Sequence, residues 1–179
     1  MSRNQFWCQI RLSIGEARGI DGRGMDHSGG SAVKQAALTI YTVGYGSRTQ
    51  EELLNLLKLH KVQVVVDIRR WPTSKLEHFR REQLSRWLPA EGIDYVWMGE
   101  ELGGYRRGGY GAHVTGEGFR RGVHQLLSLA AARRTCLLCL EISPRGCHRR
   151  FIATYLNSVW CQGSPYSIQE KAGRPCILV

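Results

Sequence analysis

The stretch "VQVVVDIR", residues 62–69, decides the fold class of this protein. Apolar, mostly β-branched residues follow one another almost without interruption, whereas a strand with one face in water alternates apolar and polar residues. Such a run is typical of a strand that is buried on both faces, as in a parallel sheet covered by helices. It ends on the charged residues Asp67 and Arg69. The stretch therefore predicts a parallel α/β sheet with polar side chains where this strand ends.

Strands and amphipathic helices alternate along the chain on both sides of this stretch. Further strands are predicted over residues 38–43, 93–98 and 135–142, with a short closing strand over 166–170, and helices over 49–60, 81–92, 119–134 and 147–160. Thr49 and Glu52 have the spacing of a capping box at the start of the first helix. We therefore predict an α/β fold: a single three-layer domain over residues 38–179, with a mainly parallel sheet of about four to five strands joined by helical crossovers.

Residues 1–37 differ in composition from the rest of the chain. They are rich in Gly, Arg and Ser and lack a sustained helical or strand period, which predicts a loosely ordered leader. Met25 lies within it, so the sequence leaves open whether the protein starts at Met1 or Met25. Neither a secretory signal peptide nor an apolar stretch of about 18 residues is evident. We therefore expect a cytoplasmic protein with no membrane partner, whose six cysteines are free thiols.

The chain carries a formal net charge of +10, and arginine supplies most of the positive charge. A positive potential attracts phosphate groups, and the planar guanidinium suits paired contacts with them. An anionic ligand, a nucleotide or a nucleic acid is therefore the expected partner. The alternative is that the arginines merely cover the surface. The oligomeric state stays open.

Polar residues and glycines follow each of the four main predicted strands. Ligands of parallel α/β sheets bind beyond the carboxyl ends of the strands, so these residues are candidates for one shared cleft. They are Gly44 and Tyr45, Asp67 and Arg69, Glu101, and Glu141. The alternative explanation is that every strand has to end in something polar.

Cys147, His148 and Arg149 open the last predicted helix. The start of a helix offers unpaired N–H groups and a partial positive charge, which hold anions and lower the pKa of a thiol. These residues are therefore candidates for a reactive thiolate or for a phosphate-binding turn. In the alternative, Cys147 packs under the helix, His148 is solvated and Arg149 pairs with an acid.

Two further cysteine patterns in this region carry less weight. Cys136 and Cys139 spell C-x-x-C, but residues three apart on a strand point to opposite faces, so their sulfurs do not converge on one metal. On this ground no zinc is expected. Cys139 and Arg145 also fit the C-x5-R phosphate loop of protein tyrosine phosphatases, although Pro144 lacks an N–H group and Glu141 would repel the anion.

Three carboxylates, those of Asp67, Glu101 and Glu141, are expected at adjacent strand ends. Together they suit a magnesium ion or an acid and base pair. Nearby arginines offer the alternative of a structural ion-pair network. The cofactor is therefore unknown at this stage, and magnesium is compatible with the pattern.

A glycine-rich segment over residues 99–118 contains the run "ELGGYRRGGYG". Its length and polarity predict a flexible lid or binding loop outside the core. Within it, Tyr105 or Tyr110 is placed to stack on a base. A plain connector is the alternative.

Four motifs occur in order along the chain. They are G-[YH]-[GS] at Gly44, D-[IV]-R-x-x-P-x-S from Asp67 to Ser74, L-G-G from Leu102 to Gly104, and C-x-E-x-x-P-x-x-C-H-R from Cys139 to Arg149. Together they resemble the family numbered 488 among the domains of unknown function, from about Leu38 to the end of the chain. The resemblance implies that the motif residues are the family's characteristic positions, and it leaves the activity unassigned.

These patterns lead us to expect an enzyme that acts on a phosphate-bearing nucleotide or nucleic acid at the carboxyl edge of the sheet. The catalytic candidates are Asp67, Glu141, Cys147 and His148, and the anion- or substrate-binding candidates are Gly44, Tyr45, Arg69, Ser74, Glu101, Gly103, Gly104, Arg145 and Arg149. Whether the protein is an enzyme stays open. A non-catalytic nucleic-acid-binding or regulatory module, with a structural ion-pair network in the cleft, would carry the same residues.

Overall fold

A five-stranded mixed sheet forms the centre of the molecule in the computed structural model, which describes residues 7–12 and 38–161. The strands are β1 (Trp7–Leu12), β2 (Leu38–Gly44), β3 (Val64–Asp67), β4 (Asp94–Trp97) and β5 (Thr135–Cys139). Their order is β1-β2-β5-β3-β4; β2, β5, β3 and β4 run parallel, and β1 pairs antiparallel with β2 at one edge. The predicted mainly parallel α/β fold is thereby confirmed.

Six helices connect and cover these strands in the described part of the chain. They are α1 (Gln50–Leu59), α2 (Arg81–Ala90), α3 (Gly99–Leu102), α4 (Tyr110–Val114), α5 (Glu117–Ala132) and α6 (Arg149–Cys161). The predicted capping box is confirmed at α1, where the Thr49 hydroxyl accepts from the Glu52 N–H at 3.1 Å and the Glu52 carboxylate accepts from the Thr49 N–H at 2.8 Å. Among the described residues, no helix combines the length and the apolar character needed to cross a membrane.

The helices pack against both faces of the sheet. Successive side chains of a strand point to opposite faces, and all four residues of β3 are buried. Val65 belongs to the core that contains residues of α1 and α2, whereas Val64 and Val66 belong to the core that contains residues of α3, α5 and α6. This division explains the uninterrupted apolar sequence of β3 and gives the three layers that were predicted.

The strand β1 lies inside the predicted leader. It pairs with β2 along its whole length, from Trp7 opposite Val43 to Leu12 opposite Leu38, and Ile10 is buried. The composition of the leader did not reveal it, because a single short strand is stabilised by the neighbour it pairs with. The rest of the leader, and the closing strand predicted over residues 166–170, lie outside the described residues.

The glycine-rich segment corrects the prediction of a flexible region outside the core. It contains the short helices α3 and α4, and the side chain of Leu102 is completely buried in the core. A Cβ atom on Gly103 would lie 2.2 Å from the carbonyl oxygen of Gly99, so the backbone here is closely packed. The tip, with Gly108 and Gly109 at φ of 78° and 86°, has the conformation of an open turn, and Tyr105, at φ of 55°, is exposed. Overall composition hid the packed start of the segment.

The carboxyl ends of the parallel strands meet at one edge of the sheet, as their direction requires. Backbone hydrogen bonds continue past the strand ends: the Tyr45 N–H donates to Cys139 at 3.0 Å and the Ile68 N–H donates to Leu138 at 3.1 Å. Because β5 lies between β2 and β3, the segment after β5 is flanked by the segments that follow both neighbours. This edge holds the candidate site.

Candidate functional site

Two thiols, a carboxylate and an imidazole converge where β5 gives way to α6. We call Cys139, Glu141, Cys147 and His148 the cysteine–histidine cluster. The sulfur atoms of Cys139 and Cys147 are 3.3 Å apart, and the Cys139 sulfur lies 2.8 Å from Glu141 Oε2. Taking one donor atom from each residue, all four atoms lie within 4.8 Å of one another. The 3-10 turn Pro144–Gly146 reverses the chain between the two cysteines and so brings them together.

A hydrogen bond to the backbone decides which ring nitrogen of His148 carries hydrogen. Its Nε2 atom lies 3.0 Å from the carbonyl oxygen of Ile68, which can only accept a hydrogen bond, so Nε2 carries the proton. In the neutral ring Nδ1 then holds a lone pair. That atom is 3.8 Å from the Cys147 sulfur and 4.0 Å from the Cys139 sulfur. His148 therefore directs an electron-pair donor at both thiols.

Behind the cluster, Arg149 is completely buried. Its guanidinium donates to the Cys147 sulfur through Nε at 3.3 Å, to the Thr42 hydroxyl at 3.3 Å, and to the backbone carbonyls of Glu141 and Ile142. No carboxylate is among these partners. Because a buried cation needs a compensating charge, the sulfur of Cys147 is the group in contact with Arg149 that can supply it.

The pKa values of the two thiols of the cluster shift in opposite directions. The hydrogen bond with the Cys139 thiol, together with the charge of Arg149, lowers the pKa of Cys147 in spite of its burial. The same hydrogen bond, followed by burial, raises the pKa of Cys139. The Arg149 N–H at the start of α6 also points at the Cys147 sulfur, at 3.5 Å. The position of Cys147 at the start of α6 and its contact with Arg149 favour Cys147 as the more acidic thiol of the pair.

The C-x-x-C pair does not converge, as its spacing predicted. Cys136 belongs to the core on the α1 and α2 side of the sheet, whereas Cys139 belongs to the core on the opposite side. The partner of Cys139 is Cys147, which the sequence interpretation did not pair with it. The expectation of no zinc rested on the C-x-x-C spacing and on the absence of a second C-x-x-C or H-x-x-x-H motif, and it did not consider Cys147 and His148 as partners of Cys139. The signal that was available is the spacing C-x-E followed by C-H, which places the same four residue types on both sides of one turn.

Asp67 forms a closed ion-pair network rather than facing the cluster. Its carboxylate accepts from Arg69 Nε at 2.8 Å, from Arg69 Nη2 at 2.5 Å, from the Arg69 N–H at 3.1 Å and from the Tyr95 hydroxyl at 2.8 Å. Asp67 and Arg69 are both buried. Burial and then the Asp67 charge raise the pKa of Tyr95, so its hydroxyl remains a donor. Sequence reasoning had foreseen an ion-pair network as an alternative and had missed Tyr95.

A small cleft of about 90 Å³ opens above the cluster. It is lined by Tyr45, Arg69, Arg70, Trp71, Thr73, Gly104, Tyr105, Cys139, Leu140, Glu141 and His148. At its mouth, Trp71 and Tyr105 are 62% and 82% exposed, with ring centroids 5.8 Å apart and planes inclined by 36°. Both are large apolar rings in water, which marks them as candidates for stacking on a ligand.

The structure separates the remaining candidates into three groups. Tyr45 and Gly104 line the cleft, and Arg145 is exposed on the turn before Cys147. Gly44 and Gly103 lie where another backbone segment approaches too closely for a side chain. Ser74 and Glu101 lie elsewhere: the Ser74 hydroxyl accepts from the Leu76 N–H at 3.1 Å, and Glu101 lines a separate groove beside β4 and α5.

The two predicted stacking tyrosines differ in environment. Tyr105 stands at the mouth of the cleft, whereas Tyr110 packs behind His148, with ring centroids 5.3 Å apart, and donates to the Leu102 carbonyl at 2.7 Å. Trp71, Thr73 and Arg70 were not among the predicted site residues. The signal available in the sequence was a tryptophan two positions after the D-I-R motif, within a segment that follows a strand end.

Fold and site together define a three-layer α/β domain with a cysteine–histidine cluster at the carboxyl edge of its sheet. The family model described as "Domain of unknown function DUF488" matches residues 49–156, which is more than half of the chain, and the chain belongs to this family. The resemblance drawn from the sequence motifs is thereby confirmed. A search of curated proteins found no match, and neither did a search of solved structures.

Proposed function

We propose that the protein is a cytoplasmic enzyme that acts on a nucleotide or nucleic acid, with one base entering the cleft and reaching the cysteine–histidine cluster. One observation carries the proposal: the exposed rings of Trp71 and Tyr105 stand over a cleft whose lining includes Cys139, Glu141 and His148. Reactive groups of three kinds thus lie beneath a surface suited to a flat heterocycle.

The dimensions of the cleft favour a base over a whole nucleotide. Every base offers a π face to an aromatic side chain, and such stacking is a common means of holding single-stranded nucleic acid. A cavity of about 90 Å³ is small, so it suits one ring edge and leaves sugar and phosphate at the surface. A base in a duplex would have to leave its stack first, as enzymes that modify bases require.

Phosphate binding falls to the arginines that the structure leaves accessible. Arg69 is committed to Asp67, and Arg149 lies behind the cluster. Arg70 lines the cleft, and Arg107 and Arg145 are exposed on the segments that flank it. Cations at the rim and stacking rings at the mouth are the combination used for single strands.

The carboxylate that faces the cleft is Glu141, and we assign it the role of general acid or base. Asp67 had been a candidate for this role, but its oxygen atoms already accept four hydrogen bonds. Glu141 is half-buried and lies against the Cys139 thiol. His148 completes the reacting group as the imidazole that lines the cleft, and Cys147, buried behind it, supports the group through its contacts with Cys139 and His148.

Substitution of the cluster tests this assignment. We expect Glu141→Gln and Cys147→Ser each to lower turnover of a nucleotide or nucleic-acid substrate by about 10²–10⁴-fold, because each removes a group that handles protons or electron pairs. Binding of a single-stranded oligonucleotide should persist. The measurement is a mass-spectrometric screen for altered nucleotides and bases, with Glu51→Gln, an exposed carboxylate of α1, as control. Full turnover in both cluster variants would refute the assignment.

Removal of the tryptophan at the mouth tests the base-binding surface. Trp71→Ala is expected to weaken oligonucleotide binding by roughly 5–150-fold, since stacking on one ring contributes about 1–3 kcal/mol. Fluorescence anisotropy measures the change. Leu59→Ala is the matched control, because Leu59 is an equally exposed apolar residue, at 73%, at the carboxyl end of α1. Equal binding by Trp71→Ala and Leu59→Ala would count against a base in this cleft.

A second candidate is a nucleic-acid-binding or regulatory module without turnover. The closed network of Asp67, Arg69 and Tyr95 favours it, because these residues of the predicted site hydrogen-bond to one another and so stabilise the fold. The two candidates separate on turnover: binding that weakens steeply with salt, without conversion of any nucleotide or nucleic acid, would favour the module.

A further inference from the structure

We propose that the cysteine–histidine cluster is a zinc site, with Cys139, Cys147 and His148 as ligands and Glu141 as the fourth, exchangeable ligand. Two thiols, an imidazole nitrogen and a carboxylate oxygen are the donor types from which zinc sites are built. Magnesium, which was compatible with the carboxylates in the sequence, prefers oxygen donors, and half of this set is sulfur.

The spacing of the donor atoms suits a tetrahedral ion. With bonds of about 2.0–2.3 Å, tetrahedral zinc holds its ligand atoms about 3.3–3.8 Å apart. The two sulfurs are 3.3 Å apart, and His148 Nδ1 lies 3.8 Å and 4.0 Å from them. Glu141 Oε2, at 2.8 Å from the Cys139 sulfur, has to withdraw by about 0.5–1 Å when the thiol proton is replaced by a metal. The four donor atoms lie within 4.8 Å of one another, so movements of about 1 Å bring them to tetrahedral spacing.

The surroundings of the cluster support metal ligation in two ways. Histidines that bind metals usually donate their other ring N–H to a carboxylate or a backbone carbonyl, and His148 donates to the carbonyl of Ile68 at 3.0 Å. Arg149 donates to the Cys147 sulfur at 3.3 Å, and no carboxylate of the described residues pairs with it. These hydrogen bonds orient the imidazole and stabilise a thiolate, and a pair of cysteines that merely pack together would need neither.

The cleft connects the cluster to solvent, so an ion can enter there and can contact a ligand bound in the cleft. Cys139, Glu141 and His148 line it, whereas Cys147 and Arg149 lie behind. Glu141 follows the end of β5 on an irregular segment, so its carboxylate is the ligand that can leave and open a position toward the cleft. This consequence, though not the metal site itself, rests on the proposed function: an ion here could polarise a group of the bound base.

Metal analysis of the full-length protein tests the site directly. After purification in a reducing buffer without chelators, we expect about one zinc per chain, and the apoprotein should take up Zn²⁺ again. Co²⁺ in its place should show the visible bands of tetrahedral thiolate coordination. Cys147→Ser is expected to lower zinc affinity by more than about 100-fold, beyond the effect usual for residues that only support a ligand. Cys136→Ala, a buried cysteine on the other face of β5, should keep the metal.

Several results would overturn the proposal. They are a protein that takes up neither Zn²⁺ nor Co²⁺, a Cys147→Ser variant that binds zinc as wild type does, and a Cys139–Cys147 disulfide that persists in reducing buffer. The Co²⁺ spectrum of the wild type decides the matter if Cys147→Ser fails to fold. Oligonucleotide binding with and without Trp71 is measured separately, so failure of the zinc site and failure of the proposed function remain distinguishable.

Discussion

Replacing Asp67 by asparagine is expected to lower the free energy of unfolding by about 3–5 kcal/mol. The carboxylate is completely buried and holds both Nε and Nη2 of Arg69, which is itself buried. Asparagine has nearly the same shape but no charge, and its NH₂ group would face donors. The guanidinium of Arg69 would then be a buried cation without a compensating charge, and this unpaired charge accounts for most of the loss of stability. Chemical denaturation followed by circular dichroism measures the loss.

The control for this change is an ion pair of the same type on the surface. Asp94 accepts from Arg133 at 2.5 Å, but the two side chains are 55% and 38% exposed. Asp94→Asn should therefore change stability by less than about 1 kcal/mol, because water screens the pair. Equal losses of unfolding free energy for Asp67→Asn and Asp94→Asn would show that burial does not make the Asp67–Arg69 pair more important for stability than a surface pair. Arg69 also lines the cleft, so Asp67→Asn should disturb the cleft wall as well as lower stability.

Gly44→Ala is the second change with a large expected effect, a destabilisation of about 3 kcal/mol or more. An added Cβ would lie 1.8 Å from the Glu141 carbonyl oxygen and 2.4 Å from the carbonyl carbon. Both segments are backbone, and Gly44 is the last residue of a strand paired with β5, so neither can rotate away as a side chain would. The clash should displace Glu141 as well, so zinc affinity and stability should fall together.

Gly146→Ala provides the matched control for the glycine. Gly146 lies in the turn between Glu141 and Cys147, and a Cβ there would meet no atom within 4 Å. We expect a change within about 0.5 kcal/mol and no loss of zinc, as for other exposed substitutions. Both stabilities come from the same denaturation experiment. If Gly44→Ala lowers the free energy of unfolding no more than Gly146→Ala does, the close backbone contact between β2 and Glu141 does not constrain residue 44.

The sequence predicted where the site residues lie, but it did not predict which residues they contact. Alternation of strands and helices placed Asp67, Glu141 and Cys147 at the same edge, because parallel strands all end there. Their neighbours could not be read in the same way. Asp67 on β3 meets Tyr95 on the neighbouring strand β4, and Cys139 meets Cys147 across a turn. Partners that lie far apart in sequence leave no local period.

The elements that sequence missed share one physical cause. The strand β1 is held by hydrogen bonds to β2, and the start of the glycine-rich segment is held by burial of Leu102 between other elements. Both are short segments beside glycine-rich sequence, so tertiary contacts decide their conformation. By contrast, α1 was predicted correctly with its capping box, because Thr49 and Glu52 interact within one turn.

The sequence by itself determined the class of fold, the edge at which polar residues gather and the separation of Cys136 from Cys139 onto opposite faces of β5. Each of these follows from a period of two or of 3.6 residues, which local geometry imposes. Only the tertiary structure decided that Asp67 anchors Arg69 while Glu141 faces the cleft, and that Cys139, Cys147 and His148 meet. The reason is that β5 lies between β2 and β3 and that a tight turn precedes α6. Both features bring together segments that are distant along the chain, and a periodic pattern within one helix or strand carries no information about such contacts.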